Sequence, residues 1–216
     1  MRMRSEREAV AVYCRKLTEL GLTRGTGGNI SIYDREQKTF AISPSGMDYF
    51  HMKPEDAVVM SRDGELVEGI RKPSTEVELH RIFYEKREDI NAVVHTHSVH
   101  CTVLGVLREP LPPSSYLVAY AGTDVRCAKY ATFGTRELAE YVYEAMEDRY
   151  AALMANHGLL AGGKDIEEAF TVAEEIEFCA ETYIKARMAG RPVLLEQEEM
   201  TEMVSRIRDK YGQNRK

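Results

Sequence analysis

Ile90-Asn91-Ala92-Val93-Val94-His95-Thr96-His97-Ser98-Val99-His100 is the stretch whose reading decides the fold. Its apolar, β-branched run predicts a buried strand, and that strand ends in His-x-His. Side chains two apart on a strand share a face and lie roughly 6.5–7 Å apart along the chain. His95 and His97 can therefore converge on one ion, and imidazole suits zinc. The competing reading is a pair of partly buried histidines hydrogen-bonded to backbone.

Just upstream, Pro73-Ser74-Thr75-Glu76 opens a helix, with Ser74 as its N-cap and Val77, Leu79, Ile82 and Phe83 as its apolar face. Two hairpins precede it: residues 30–33 with 39–43, and 57–60 with 65–67 across Arg62-Asp63-Gly64. A helix over 5–20, closed by Gly21, begins the chain. Downstream, residues 98–107 fit a helix, and Pro110, Pro112 and Pro113 break regular structure before Tyr116-Leu117-Val118-Ala119-Tyr120. A helix runs from Gly134-Thr135-Arg136-Glu137 to about Met146, and Ala151–Asn156 is a short buried strand ending at His157-Gly158. Asp165 and Glu168 have capping-box spacing and open a long helix that Gly190 and Pro192 close. An amphipathic segment over about 196–209 leads to a polar tail from Tyr211. With no repeat or linker, residues 1–216 predict one α/β domain, a mixed, mostly antiparallel sheet covered by helices.

Composition narrows the function classes. The 216 residues are 44% hydrophobic and 30% charged, ordinary for a globular protein. A net charge of −6 argues against nucleic acid or an anionic membrane as partner. No apolar run approaches the roughly 20 residues of a membrane helix. The first eight residues lack the apolar core of a signal peptide, so a cytoplasmic protein is expected. Cys14, Cys101, Cys127 and Cys179 are scattered, which predicts reduced, structural thiols and disfavours the Cys-x-x-Cys zinc deaminases.

His157, where a strand gives way to a turn, can aim into the same cleft as His95 and His97, and Glu76 at a helix start can add a carboxylate. Three imidazoles and one carboxylate suit Zn²⁺. His80, four residues after Glu76, could replace a ligand, but reads as a surface residue or one supporting a ligand. His100 reads as packing or orienting, and His51 as facing solvent. Three small-residue loops, Gly25-Thr26-Gly27-Gly28-Asn29, Ser43-Pro44-Ser45-Gly46 and Pro73-Ser74-Thr75, offer backbone N–H groups and hydroxyls to an anion. Together they suggest a phosphate beside the metal, although none is a P-loop or dinucleotide fingerprint.

These loops, with Val94-His95-Thr96-His97, Tyr130-Ala131-Thr132-Phe133-Gly134-Thr135 and Asn156-His157-Gly158, resemble the class II aldolase/adducin-head family, most of all its L-fuculose-1-phosphate aldolase branch. The resemblance implies a three-layer α/β/α sandwich, one Zn²⁺ per subunit and a homotetramer with active sites between neighbours. It makes Glu76, His95, His97 and His157 the zinc ligands, and gives substrate phosphate to Gly28, Asn29, Ser45, Gly46, Ser74 and Thr75. Tyr116 matches the tyrosine acting on the aldehyde oxygen, Phe133 a pocket aromatic, and Tyr211 a tyrosine lent by a neighbouring subunit. Arg208 stands where a further aromatic is expected, so the aldehyde end of the pocket departs from the pattern. For Tyr116 the competing reading is a packed strand aromatic, and for Tyr211 a frayed terminus.

The implied reaction is reversible aldol cleavage of a ketose 1-phosphate, such as L-fuculose 1-phosphate, to dihydroxyacetone phosphate and a small aldehyde. Zinc would stabilise the enediolate, Glu76 would shuttle the proton at C3, and Tyr116, aided by Tyr211, would exchange the C4 hydroxyl proton. The alternatives are a 5-deoxyribulose-1-phosphate aldolase, an L-ribulose-5-phosphate 4-epimerase, a methylthioribulose-1-phosphate dehydratase and a non-catalytic adducin-like interaction domain. Epimerase relatives carry Asp where this chain has Glu76, which favours the aldolase.

Overall fold

The computed structural model describes residues 1–210. Among these, six α-helices occur: α1 (Arg4–Glu19), α2 (Val77–Lys86), α3 (Val99–Leu107), α4 (Arg136–Ala145), α5 (Ile166–Ala189) and α6 (Gln197–Lys210). The strands are β1 (Asn29–Asp34), β2 (Thr39–Ile42), β3 (Val58–Ser61), β4 (Leu66–Glu68), β5 (Ala92–Thr96), β6 (Cys127–Ala128), β7 (Ala151–Met154) and β8 (Gly158–Gly163). They form one sheet in the order β4-β3-β2-β1-β5-β8-β7-β6. Only the β6–β7 pair is parallel. The histidine strand β5 lies at the centre, with His95 opposite Asn29 of β1 and Leu160 of β8.

Strand alternation divides the core into two layers. Ile30 and Val94 face α1, α3 and α5, packing with Val10, Leu17, Leu104, Phe170 and Ile176. Phe40, Val93 and Leu160 face α2 and α4, packing with Leu79, Ile82, Phe83, Leu138 and Val142. This is the expected α/β/α sandwich around a mixed, mostly antiparallel sheet. Ile82, Phe83 and Phe40 are fully buried, and each such side chain contributes about 1.5–3 kcal/mol. His95, two residues after Val93, is thereby turned toward α2.

Three local expectations change. Helix α2 starts two residues later than the Ser74 cap predicts: its N-cap is Glu76, whose N–H donates to Ser74 Oγ at 3.2 Å. Tyr116–Tyr120 is a 3-10 helix rather than a strand, anchored by Val118 and Ala119 in the α5-side core, and it leaves Tyr116 about half exposed. The Gly-Leu-Leu-Ala-Gly-Gly run of β8, which the sequence pattern does not single out, is a central strand. Tyr211 and the rest of the tail lie outside the described residues. Among the described residues, no helix is long and apolar enough to cross a membrane.

Candidate active site

Four elements deliver the predicted ligands to one point. His95 sits in β5 and His97 just beyond its end; His157 lies in the β7–β8 turn, and Glu76 caps α2. The turn is made possible by Asn156 in the left-handed region (φ 55°) and by Gly158, where a Cβ would come within 2.2 Å of the Thr96 carbonyl oxygen. Gly27 has a second such role: a Cβ there would stand 2.5 Å from His97 Nδ1, so only glycine lets that loop lie against the ring.

His95 Nε2 lies 3.0 Å from His97 Nε2 and 3.3 Å from Glu76 Oε2, and His157 Nε2 lies 3.2 Å from Glu76 Oε1. All four ligand atoms fall within 4.8 Å of one another. Tetrahedral zinc with arms of 2.0–2.1 Å needs ligand atoms roughly 3.3 Å apart, so the set fits the ion. His95 Nδ1 donates to the Leu159 carbonyl at 2.9 Å, which leaves its Nε2 lone pair facing the cluster. Glu76 Oε1 is buried and lacks a hydrogen-bond partner, its approach to His157 falling outside hydrogen-bond geometry. A buried acceptor facing imidazole lone pairs is the environment a cation satisfies.

The electrostatics agree. Burial raises the Glu76 carboxyl, but His95 and His157 beside it outweigh that and hold it well below the usual carboxylate range. Burial, followed by repulsion from His95 and His157, lowers His97 to about 4, so its lone pair is available at neutral pH. Burial likewise lowers His80 to about 3, with a further contribution from His95.

A cavity of about 440 Å³ opens over this cluster. Its wall contains Gly28, Asn29, Ser45, Gly46, Ser74, Thr75 and Phe133, all expected from the sequence, together with Glu76, His97 and His157. The three loops are laced together. Ser45 N–H donates to the Lys72 carbonyl, Ser74 N–H to the Ser43 carbonyl, and the Tyr49 hydroxyl to the Gly28 carbonyl at 2.7 Å. Gly28 and Gly46 both have positive φ, near 68° and 66°. Ser45, Gly46 and Thr75 are exposed to the cavity side, whereas Ser74 is buried.

Other predicted residues lie elsewhere. Tyr116 is absent from the cavity wall, its 3-10 helix being packed on α5 and α6. The Arg208 guanidinium stacks 3.2 Å from the ring centroid of Tyr150, in a separate cleft with Arg87 and Asp89. His100 pairs with Glu177 of α5, and His51 is exposed beside Asp48. His80 is not a surface residue: it is fully buried and hydrogen-bonded to Asn29, which donates to Glu76. Thr26, within the first anion loop read from the sequence, lines the cavity; Tyr49 as the tie between loops, and Tyr130 and Asn156 as cavity residues, went unmarked in the sequence. Tyr130 lay within a quoted motif, but nothing in its spacing marked it as facing the cleft.

Comparisons with known proteins agree with this geometry. The model of the class II aldolase and adducin N-terminal domain matches residues 8–184. A 5-deoxy-D-ribulose 1-phosphate aldolase of Bacillus thuringiensis serovar kurstaki is 53% identical over 213 residues, 99% of this chain and 100% of its own. An L-fuculose phosphate aldolase of Haemophilus influenzae is 39% identical over 201 residues, covering 92% and 91% of the two chains. A solved L-fuculose 1-phosphate aldolase superposes with a TM-score of 0.94 at 48% identity, covering 96% and 98%. With its Glu-His₃ cluster beneath a cavity rimmed by small-residue loops, the chain is a metal-dependent aldehyde-lyase and belongs to the class II aldolase and adducin N-terminal domain family.

Proposed function

We propose that the chain catalyses reversible, zinc-dependent aldol cleavage of a deoxy ketose 1-phosphate to dihydroxyacetone phosphate and a short aldehyde. The observation that carries this reading is the partnerless Glu76 Oε1 among three imidazoles, beneath a cavity rimmed by small-residue loops. Glu76, His95, His97 and His157 would hold the ion. A bound divalent cation supplies Lewis-acid polarisation of the substrate carbonyl and offsets the charge that develops as the C3–C4 bond breaks.

The remaining work falls to the chain. Gly28, Asn29, Ser45, Gly46, Ser74 and Thr75 hold the phosphate through backbone N–H groups and polar side chains, and Phe133 walls the pocket. Glu76 gives a proton to C3 in cleavage and removes it in condensation. Tyr116 takes the proton of the C4 hydroxyl. Exposed on its own subunit and absent from its own cavity, it serves a neighbouring copy's site. Residues 1–216 act as one domain, with the tail over about 196–216 carrying Tyr211 to the neighbour in a homotetramer. Cytoplasmic residence belongs to the same reading, since all four cysteines are free thiols, as a reducing compartment keeps them.

Two substrates have specific support. 5-Deoxyribulose 1-phosphate, which would release acetaldehyde, is favoured by the 53% identical relative. L-Fuculose 1-phosphate, which would release lactaldehyde, is favoured by the 39% identical relative and the solved structure. The zinc-loaded protein is assayed on both and on L-ribulose 5-phosphate. Dihydroxyacetone phosphate from either of the first two supports the aldolase. Xylulose 5-phosphate from the third would make it an epimerase, and absence of both turnover and stoichiometric metal would leave an interaction domain.

A further inference from the structure

Behind Glu76 runs a line of buried polar groups of which the proposed chemistry uses only Asn29. Glu76, His80 and Tyr84 recur every four residues and form one stripe from the N-cap of α2 to its last turn. Asn29 and Ser31 lie two apart on β1 and face that stripe. All five are buried.

Their hydrogen bonds have only one consistent direction. Asn29 Nδ2 donates to Glu76 Oε2 at 2.8 Å, which turns Asn29 Oδ1 toward His80. His80 Nε2 must therefore carry the proton and donate to that oxygen. His80 Nδ1 is then bare and accepts from the Ser31 hydroxyl at 2.7 Å. Ser31 Oγ in turn accepts from the Tyr84 hydroxyl at 2.5 Å. Every donor in the line is aimed toward Glu76, and the line ends on Oε2. The other oxygen, Oε1, is the one left without a partner.

We propose that Tyr84, Ser31 and His80 form a positioning relay that fixes the Asn29 amide toward Glu76, keeping Oε2 engaged and reserving Oε1 for the metal and the transferred proton. The inference rests on the metal-site reading above. An Asn side chain presents an N–H₂ or a C=O after a half-turn, and the two faces have nearly the same shape. The Glu76 carboxylate and the donor at His80 Nε2 together select the N–H₂ face toward Glu76, and the relay supplies the second of these constraints. Without the His80 donor Asn29 Oδ1 is buried with no partner, so the amide is held at one end alone and the carboxylate it anchors is loosened. Because Asn29 and Glu76 both line the cavity, the relay sets the substrate-facing atoms of both residues.

The test is zinc affinity, measured by chelator competition on the full chain and its variants, with no dependence on turnover. His80→Phe keeps a ring but has no donor, and is expected to weaken zinc about 10- to 100-fold. His80→Gln offers an N–H toward Asn29 and an oxygen toward Ser31, and should bind within about threefold of the parent. Added to Asn29→Ala, His80→Phe should cost no more than about a further twofold, because the two act in series. Parental affinity in His80→Phe, equal weakness in His80→Gln, or losses that multiply in the double variant would each overturn the relay alone. A parent chain that binds no zinc would overturn the metal reading and the relay together. If His80→Phe does not fold, ¹⁵N spectra of labelled histidine are compared in the parent and Ser31→Ala. The relay requires a protonated Nε2 and bare Nδ1 at His80 in the parent, and loss of that single tautomer in Ser31→Ala. An unchanged tautomer in Ser31→Ala overturns it.

Discussion

Gly27→Ala separates the metal centre from the fold. A Cβ at residue 27 would stand 2.5 Å from His97 Nδ1, about 0.9 Å inside the 3.4 Å at which ordinary contact begins, and 3.1 Å from the ring's Cε1. The Gly27 backbone is outside the left-handed region, so alanine adds no backbone strain. The relief available is movement of the His97 ring, which is near the far end of a side chain one residue beyond β5. A ring displaced by most of an ångström cannot keep a 2.0–2.1 Å bond to an ion that His95, His157 and Glu76 would also hold. The expected loss of zinc affinity is about 10- to 100-fold, or about 1.4–2.8 kcal/mol. The apoprotein should be unchanged or stabilised by about 0.4–1 kcal/mol, because alanine restricts the unfolded chain. Chelator competition reads the first quantity and thermal melting of the apoprotein the second. Parental zinc affinity in Gly27→Ala, with an intact fold, would refute the placement of His97 in the metal centre.

Other perturbations reach different parts of the account. Glu76→Gln removes the anionic ligand and the proton carrier together, so kcat should fall about 10²- to 10⁴-fold with weaker zinc; retention of both zinc and aldol activity would be inconsistent with the assignment. Tyr116→Phe should lower kcat in steady-state assays while leaving zinc content unchanged, because Tyr116 is remote from its own chain's cluster; unchanged turnover would remove Tyr116 from the reaction. Burial and His95 lower the folded-state pKa of His80 to about 3 from 6.5, so below pH 6.5 the unfolded chain takes up a proton that the fold refuses. Apoprotein stability contributed by neutral His80 is therefore complete above pH 6.5 and is lost toward pH 3 at up to about 1.4 kcal/mol per pH unit. Urea titrations at pH 7, 6 and 5 should show a flatter slope in His80→Gln, and equal slopes would contradict this.

Legibility followed the strength of local patterns. The apolar, β-branched run through Val93 and Val94 with its His-x-His ending identified β5, and the Asp165–Glu168 spacing with Gly190 identified α5. Strand β8 escaped because glycine has poor strand propensity, and its glycines answer to tertiary neighbours. A Cβ at Gly162 would meet Ile90 Cδ1 at 2.8 Å, and one at Gly163 the Ala169 nitrogen at 2.5 Å. His80 was partly misread because spacing of four from Glu76 places it on the same stripe without saying whether that stripe meets solvent or β1. Tyr49 carries no local signal at all, since its hydroxyl acts on a carbonyl 21 residues away. The four clustered side chains, by contrast, were legible because each lies at or close to the end of an element, beside a loop or turn that the sequence marks.

The central claim is that Glu76, His95, His97 and His157 hold one zinc ion. Anomalous diffraction at the zinc edge from a crystal of the zinc-loaded protein tests it most directly. One peak per chain is expected, 2.0–2.1 Å from an imidazole nitrogen of each histidine and about 2.0–2.2 Å from a Glu76 oxygen. No peak, or a peak held by other side chains, would contradict it.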